Sequence, residues 1–163
     1  MNQKKLYIIA HNIRSAHNVG AIFRTCDGAG ASKIYLTGYT PEPASSEKEE
    51  KMKTKAEKML EKTALGAENN VPWERVERID DLMLKLKKEG FSIVALEKTK
   101  NSTPMNELHM NFPIALILGN EVDGVNEELL EKCDSIMEIP MRGKKESLNV
   151  SVAAGIGIYK ILE

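Results

Sequence analysis

The run Ile114-Ala115-Leu116-Ile117-Leu118-Gly119-Asn120-Glu121-Val122-Asp123-Gly124 decides the fold. Five consecutive apolar residues without polar alternation read as a strand buried on both faces, the pattern of a parallel sheet covered by helices. The change in composition at Gly119 marks a loop at the carboxyl end of that strand, where open α/β sheets bind their ligands. Similar apolar runs stand at Leu6-Tyr7-Ile8-Ile9-Ala10, Lys33-Ile34-Tyr35-Leu36-Thr37 and Ser92-Ile93-Val94-Ala95-Leu96, with a shorter one at Ile136-Met137-Glu138-Ile139. Between the first two, Val19, Ile22, Phe23 and Cys26 fall on one helical face. Asn18 is the expected N-cap of that helix and Gly28-Ala29-Gly30 its stop. Asp80 or Asp81 is expected to open a second helix, running through Leu82 and Leu86 up to Gly90. Asn126 to Cys133 reads as a third, and a last helix starts at Asn149 and runs almost to the end. Strands separated by helices predict an α/β fold with a mostly parallel sheet flanked by helices.

One stretch departs from this rhythm. From Pro41 to Lys58 the chain carries prolines and then little besides Glu and Lys, which reads as a solvated loop and a frayed helix. Pairs such as Glu47–Lys51 and Glu49–Lys53 would add only tenths of a kcal/mol, on the order of 0.3 each. The functional alternative for this stretch is a mobile flap over a substrate. No repeat and no linker divides the chain, so a single domain over residues 1–163 is expected.

Length and composition bound the chemistry. A chain of 163 residues with 42% hydrophobic and 29% charged residues can build a core without metals or disulfides, and it is neither disordered nor collagenous. No apolar run approaches the ~18 residues of a membrane span. No cleavage-site pattern follows Met1-Asn2-Gln3-Lys4-Lys5, so no secretory leader is expected. Cys26 and Cys133 are far apart and read as reduced thiols of a cytoplasmic protein. The net charge of −1 is not that of a strongly basic nucleic-acid binder, so any contact with a polyanion must rest on local basic patches.

The common nucleotide and catalytic signatures are absent. Arg142-Gly143-Lys144-Lys145-Glu146-Ser147 lacks the upstream glycine of a Walker loop and the Ser or Thr directly after its lysine. Gly28-Ala29-Gly30 and Gly155-Ile156-Gly157 lack the third glycine of a dinucleotide fingerprint. Neither a Gly-x-Ser-x-Gly elbow nor a His-Glu-x-x-His pair occurs, and His11, His17 and His109 have no ligand spacing, so no metal site is expected. What remains is three loops rich in Asn, Gly, Ser, Glu and Arg, each following an apolar strand: residues 12–24, 119–124 and 140–149.

These loops resemble the SpoU branch of the SPOUT methyltransferases, the TrmH-like RNA ribose 2'-O-methyltransferases. The Asn-x-Gly-x-x-x-Arg motif of that family is matched by Asn18, Gly20 and Arg24. Its strand followed by Gly-Asn-Glu-x-x-Gly is matched from Ile114 through Gly124, and its Ile-Pro-Met-x-Gly then Ser-Leu-Asn-Val-Ser-x-Ala from Ile139 through Ala153. The three motifs stand in family order and frame nearly the whole chain. The resemblance implies a C-terminal trefoil knot, S-adenosylmethionine bound in the knotted loops, and a homodimer that completes the active site. Ala153, Ala154, Gly155 and Gly157 leave little bulk on the last helix, compatible with close backbone approach in a knot or a dimer. Carried over by motif position, the cofactor would lie against Leu96, Gly119, Ile139, Ser147 and Leu148, held largely by backbone groups.

Arg24, Asn18, Glu121, Ser147 and Asn149 are the implied catalytic set. Arg24 would engage the phosphate of the target nucleotide and help activate the ribose 2'-hydroxyl. Because a guanidinium gives up its proton so reluctantly, a fixed cation beside the developing alkoxide is the favoured role over literal deprotonation. Asn18 would hold the loop next to Arg24, while Ser147 and Asn149 order the cofactor loop and line the reacting centre. Arg14, Arg142, Lys144 and Lys145 are candidates for RNA phosphates. The implied substrate is RNA, with tRNA favoured over rRNA because no RNA-binding extension is seen. Two other readings are base methylation within the same superfamily, against which the Asn18–Arg24 motif speaks, and a non-catalytic RNA-binding or assembly protein on the same fold.

Overall fold

The computed structural model of the chain describes residues 4–163; the opening Met1-Asn2-Gln3, part of the stretch read for a leader, lies outside them. Seven strands, β1 (Leu6–His11), β2 (Lys33–Thr37), β3 (Trp73–Val76), β4 (Ser92–Leu96), β5 (Thr103–Pro104), β6 (Ile114–Leu118) and β7 (Ser135–Glu138), form one sheet. Their order is β3-β2-β1-β6-β4-β7-β5, and every strand pairing is parallel. The helices are α1 (Ala16–Ala29), α2 (Lys55–Ala64), the one-turn α3 (Ala67–Asn70), α4 (Ile79–Lys88), α5 (Glu127–Lys132) and α6 (Val150–Leu162).

Alternating strand residues feed two separate cores, because successive side chains point to opposite faces. Ile8, Ile34, Val94, Leu116 and Met137 meet α1, α2 and α6 on one face. Ile9, Tyr35, Ile93, Ala95, Ala115 and Ile117 meet α4 and α5 on the other. All five residues of β6 are buried, as expected of a central strand between covered faces.

Helix ends show where local reading was corrected. Ser15, not Asn18, caps α1: its side chain accepts from the Asn18 amide, and Asn18 lies inside the helix, buried. The stop is Gly30, left-handed at φ 79°. Arg78 occupies the N-cap of α4 without a side-chain cap bond, while Asp80 and Asp81 sit in its first turn, where negative charge suits the helix dipole. Asn126 and Asn149 cap α5 and α6 with their side chains.

The charged stretch before residue 58 is more ordered than its composition predicts. Thr54 and Glu57 form a reciprocal capping box that starts α2 cleanly at Lys55. Lys48 pairs with Glu57 at 2.8 Å, and Lys53 pairs with Glu50 and Glu61 at 2.9 and 2.7 Å, instead of the expected Glu47–Lys51 and Glu49–Lys53. Arg75 on β3 ties back to Glu42 and to the Thr40 carbonyl. Strands β3 and β5 were not legible: each lies at a sheet edge, is half-buried, and is too short for a periodic signal.

The contact of α1 with α2 depends on Gly20. A Cβ there would lie 1.9 Å from Thr63 Oγ1 and 2.3 Å from the Leu60 carbonyl oxygen. Because a backbone atom is among the obstacles, α2 itself would have to move. Gly20→Ala is therefore expected to cost at least the ~1–3 kcal/mol of an overpacked core. For a domain of this size that lowers the melting temperature by roughly 3–10 °C, read by thermal circular dichroism.

Candidate active site

The carboxyl ends of β4, β6 and β7 open into one cavity. Its wall takes Leu96 and Glu97 from the end of β4, residues 118–124 from the end of β6, and Ile139, Met141 and residues 146–148 from the loop after β7. Val150 and Ala153 of α6 close it. The five residues implied as cofactor contacts, Leu96, Gly119, Ile139, Ser147 and Leu148, all stand in this wall.

The loop after β6 is a small closed ring. Asn120 and Gly124 exchange both backbone hydrogen bonds, at 3.2 and 3.0 Å. Gly119 sits against that ring so closely that a Cβ would lie 2.5 Å from the Gly124 carbonyl carbon and 2.6 Å from the Val125 nitrogen. Gly124 has φ +65°, and its missing side chain leaves room for Glu97, whose carboxylate accepts from the Val125 amide at 3.0 Å. The bulk of Glu97 thus replaces a side chain on Gly124. Sequence reading passed over Glu97, since its partner is 28 residues away and no local pattern links them.

Glu121 joins this ring to the loop before α1. Its carboxylate accepts from the Arg14 and Ser15 amides, both at 3.0 Å, and from Asn18 Nδ2 at 3.1 Å. Partial burial by itself would raise the Glu121 pKa, but these donors together outweigh it and hold the carboxyl below its ordinary value. Asn18 continues the chain: its Oδ1 accepts from Asn149 Nδ2 at 3.2 Å. Asn149 Oδ1 in turn caps α6 through the Ser151 and Val152 amides. One buried asparagine therefore links all three motif loops. The Glu121 carboxylate is thus committed to three donors that fasten the ring to the loop before α1.

The lowered carboxyl has a consequence with a definite sign. A depressed folded-state pKa contributes stability above the unfolded value, and that contribution disappears as pH falls through the folded value. The attachment of the 12–18 loop should be constant from neutral pH down to the ordinary carboxylate range and loosen only below it. A carbon-detected NMR titration should place the Glu121 midpoint under the ~4.3 of a free glutamate; a midpoint above it would contradict the hydrogen-bonded geometry.

Arg24 stands apart from the cavity wall. It is exposed on α1, and its side chain has no hydrogen bond or ion pair among the described residues. Ser147 lines the cavity, also exposed. Among the described residues no cluster of His, Cys, Asp and Glu can hold a metal ion, and no helix is long and apolar enough to cross a membrane. Burial raises the pKa of both thiols, Cys133 to about 11 and Cys26 further, so neither is a nucleophile near neutrality.

An all-parallel sheet with a cavity at the carboxyl ends of its central strands, its loops cross-linked by the Glu121–Asn18–Asn149 chain, places the protein among open α/β folds that bind ligands at that edge. Residues 5–159 match the SpoU rRNA Methylase family, and the chain belongs to that family. It is 37% identical, over 97% of its length and 69% of the relative's, to a tRNA (guanosine(18)-2'-O)-methyltransferase of Aquifex aeolicus. It is 32% identical, over 96% of its length, to a 23S rRNA (guanosine-2'-O-)-methyltransferase of Coxiella burnetii, of which it spans 57%. Among solved structures, the A. aeolicus TrmH/SpoU tRNA modifying enzyme superposes with a TM-score of 0.80 at 35% identity, over 98% of this chain and 75% of that one. An AdoMet-bound rRNA methyltransferase from Sinorhizobium meliloti gives 0.82 at 25% identity, over 98% and 56%. Several of the curated relatives are thus considerably longer than this chain.

Proposed function

We propose that this chain transfers a methyl group from S-adenosylmethionine to a ribose 2'-hydroxyl of RNA, with tRNA as the preferred substrate and rRNA as the alternative. The observation that carries this reading is the cavity at the ends of β4, β6 and β7. Its wall combines apolar Leu96, Ile139 and Leu148 with backbone edges at Gly119 and Ser147. Glu97, Glu121, Asp123 and Glu146 outnumber its one cation, Lys98. Apolar surface and peptide edges suit an adenosine, and excess negative charge suits a cationic sulfonium. When bound, that group supplies an electrophilic methyl on a positively charged sulfur. The preference for tRNA is supported by the tRNA-modifying relative in A. aeolicus.

The protein's part is positioning and charge. Asn149, Asn18 and Glu121 hold the cavity loops and the start of α1 as one unit, so the hydroxyl can be presented in one geometry. Arg24 stabilises the charge developing on the 2'-oxygen as its proton passes to solvent water. Arg14, Arg142, Lys144 and Lys145, all exposed, are the phosphate contacts.

A homodimer and a C-terminal trefoil knot belong to the same reading. Val152, Ile156 and Tyr159 form an apolar stripe on α6, exposed at 51, 36 and 56%. The start of that helix borders the cavity, so a second copy seated on the stripe would approach it and bring Arg24 from its own α1. The knot is supported by the way the 139–149 segment returns to the wall shared with the ends of β4 and β6. Gly157 supports it too: a Cβ there would lie 3.1 Å from Leu96 Cδ2. We place the protein in the cytoplasm, where RNA of this kind is processed and its two thiols stay reduced.

The test is incubation with tritiated S-adenosylmethionine and bulk unmodified tRNA or rRNA, followed by nuclease digestion and nucleoside separation. Label in 2'-O-methylnucleosides is expected. Label in a methylated base would move the chemistry to the base. Absence of both label and cofactor binding would leave the RNA-binding reading in its place.

A further inference from the structure

Beside the cofactor cavity lies a second concavity that shares Asn120, Val122 and Asp123 with it and adds Arg14 and Tyr39. Tyr39 follows the carboxyl end of β2, is 58% exposed, and lies outside the three motifs. Val122 beside it is 80% exposed. An aromatic ring and a branched aliphatic side chain so open to water, at the rim of a reaction cavity, are a recognition surface in search of an apolar face.

Tyr39 is also held unusually well for an exposed residue. Asn120, only 8% exposed, uses its full bonding capacity there. Its Oδ1 accepts from the Val122 and Asp123 amides, both at 2.8 Å, and its Nδ2 donates to the Asn12 carbonyl and to Tyr39 Oη, both at 2.9 Å. Water would satisfy an exposed tyrosine hydroxyl; tying it to a buried asparagine fixes the ring. Its backbone is pinned too. The Tyr39 amide donates to Asn12 Oδ1 at 3.3 Å, and Asn12 itself is in the left-handed region at φ 53°. Gly38 carries φ +63°, and a Cβ on it would lie 1.8 Å from Asn12 Oδ1. A left-handed asparagine and a left-handed glycine therefore hold this one ring in place.

We propose that Tyr39 is a stacking platform for an RNA base next to the reacting ribose, with Val122 extending the apolar surface and Arg14 taking the adjoining phosphate. This rests on the RNA methyl-transfer reading above and adds a base-binding subsite to it. A planar base has an apolar face for the ring whatever its identity. Arg14 is exposed and its side chain has no acidic partner among the described residues, leaving it available to a phosphate. Asp123, on the same rim, disfavours a phosphate over its own part of the surface and offers an acceptor to a base edge. A ring held in advance loses little freedom on stacking, which is what the Asn120 and Asn12 tethers provide.

The experiment compares the wild type with Tyr39→Ala and Tyr39→Phe, each checked for an unchanged melting temperature. With bulk unmodified tRNA, Tyr39→Ala is expected to raise KM for RNA roughly 5- to 150-fold, the equivalent of one base–aromatic stack. The rate at saturating RNA and the Kd for S-adenosylmethionine should stay within about twofold. Tyr39→Phe keeps the ring and should lose several-fold less than the alanine variant. A short single-stranded RNA containing 2-aminopurine should be quenched by the wild type and by Tyr39→Phe, and not by Tyr39→Ala. Unchanged KM and quenching in Tyr39→Ala would overturn the proposal, and a weakened cofactor Kd would reassign the ring to the cofactor's adenine. The quenching needs no turnover, so failure of methyl transfer in the wild type would overturn the reaction reading while the subsite is still decided by fluorescence.

Discussion

Arg24→Ala is expected to lower the rate of methyl transfer at saturating RNA and cofactor by about 100- to 1000-fold, the usual cost of deleting one preorganised electrostatic contact to a developing oxyanion. The Kd for S-adenosylmethionine should not change, because Arg24 is outside the cavity wall. Folding should not change either: the side chain is exposed and makes no hydrogen bond or ion pair among the described residues. Arg24→Lys tests the nature of the contribution. If charge alone matters, lysine recovers most of the rate; if the planar fork of the guanidinium is needed to grip oxygen and phosphate together, it recovers little. Mixed dimers add a further check. Arg24→Ala combined with a cofactor-site variant should regain activity if each site takes its arginine from the other copy, and should regain none if Arg24 serves its own cavity.

The second large effect is expected at Gly119. Gly119→Ala would drive a Cβ into the Gly124 carbonyl and the Val125 amide, all three obstacles being backbone atoms within 2.7 Å. The ring closed by Asn120 and Gly124 must then open or shift, which costs about 2–3 kcal/mol by analogy with overpacked cores. Gly119 and both ends of that ring line the cavity. Distortion on this scale therefore falls on the cofactor, with affinity reduced roughly 30- to 150-fold. Isothermal titration with S-adenosylmethionine measures it. A variant that binds the cofactor normally would show that the ring has slack the distances deny. Far-ultraviolet circular dichroism separates this loss from general unfolding.

The two substitutions differ in kind: one removes a charge that the folded chain does not use for itself, the other breaks a backbone packing that the cavity requires. Sequence reading ranked the arginine first because it completes a motif. The structure raises the glycine to the same level, since only coordinates reveal that residues 119 and 124 touch.

The layer class, the four central strands and most helices were legible in the sequence because they rest on local regularities. Short, largely apolar runs at residues 6–10, 33–37, 92–96 and 114–118 announce strands buried on both sides, and the spacing of Val19, Ile22, Phe23 and Cys26 announces a helical face. The three family-like loops were legible for the same reason, each being contiguous. Tertiary structure alone decided the strand order β3-β2-β1-β6-β4-β7-β5 and the edge strands at Trp73 and Thr103. It also decided that Asn18 bridges loops instead of capping a helix, that Glu121 spends its carboxylate on three donors, and that Tyr39 is held open to solvent. The bonds responsible join residues 103, 131 and 81 positions apart. Periodicity reports which face of its own element a residue occupies, whereas a hydrogen bond requires two groups within about 3 Å and in line. That condition between distant residues exists only once the sheet has brought their loops together.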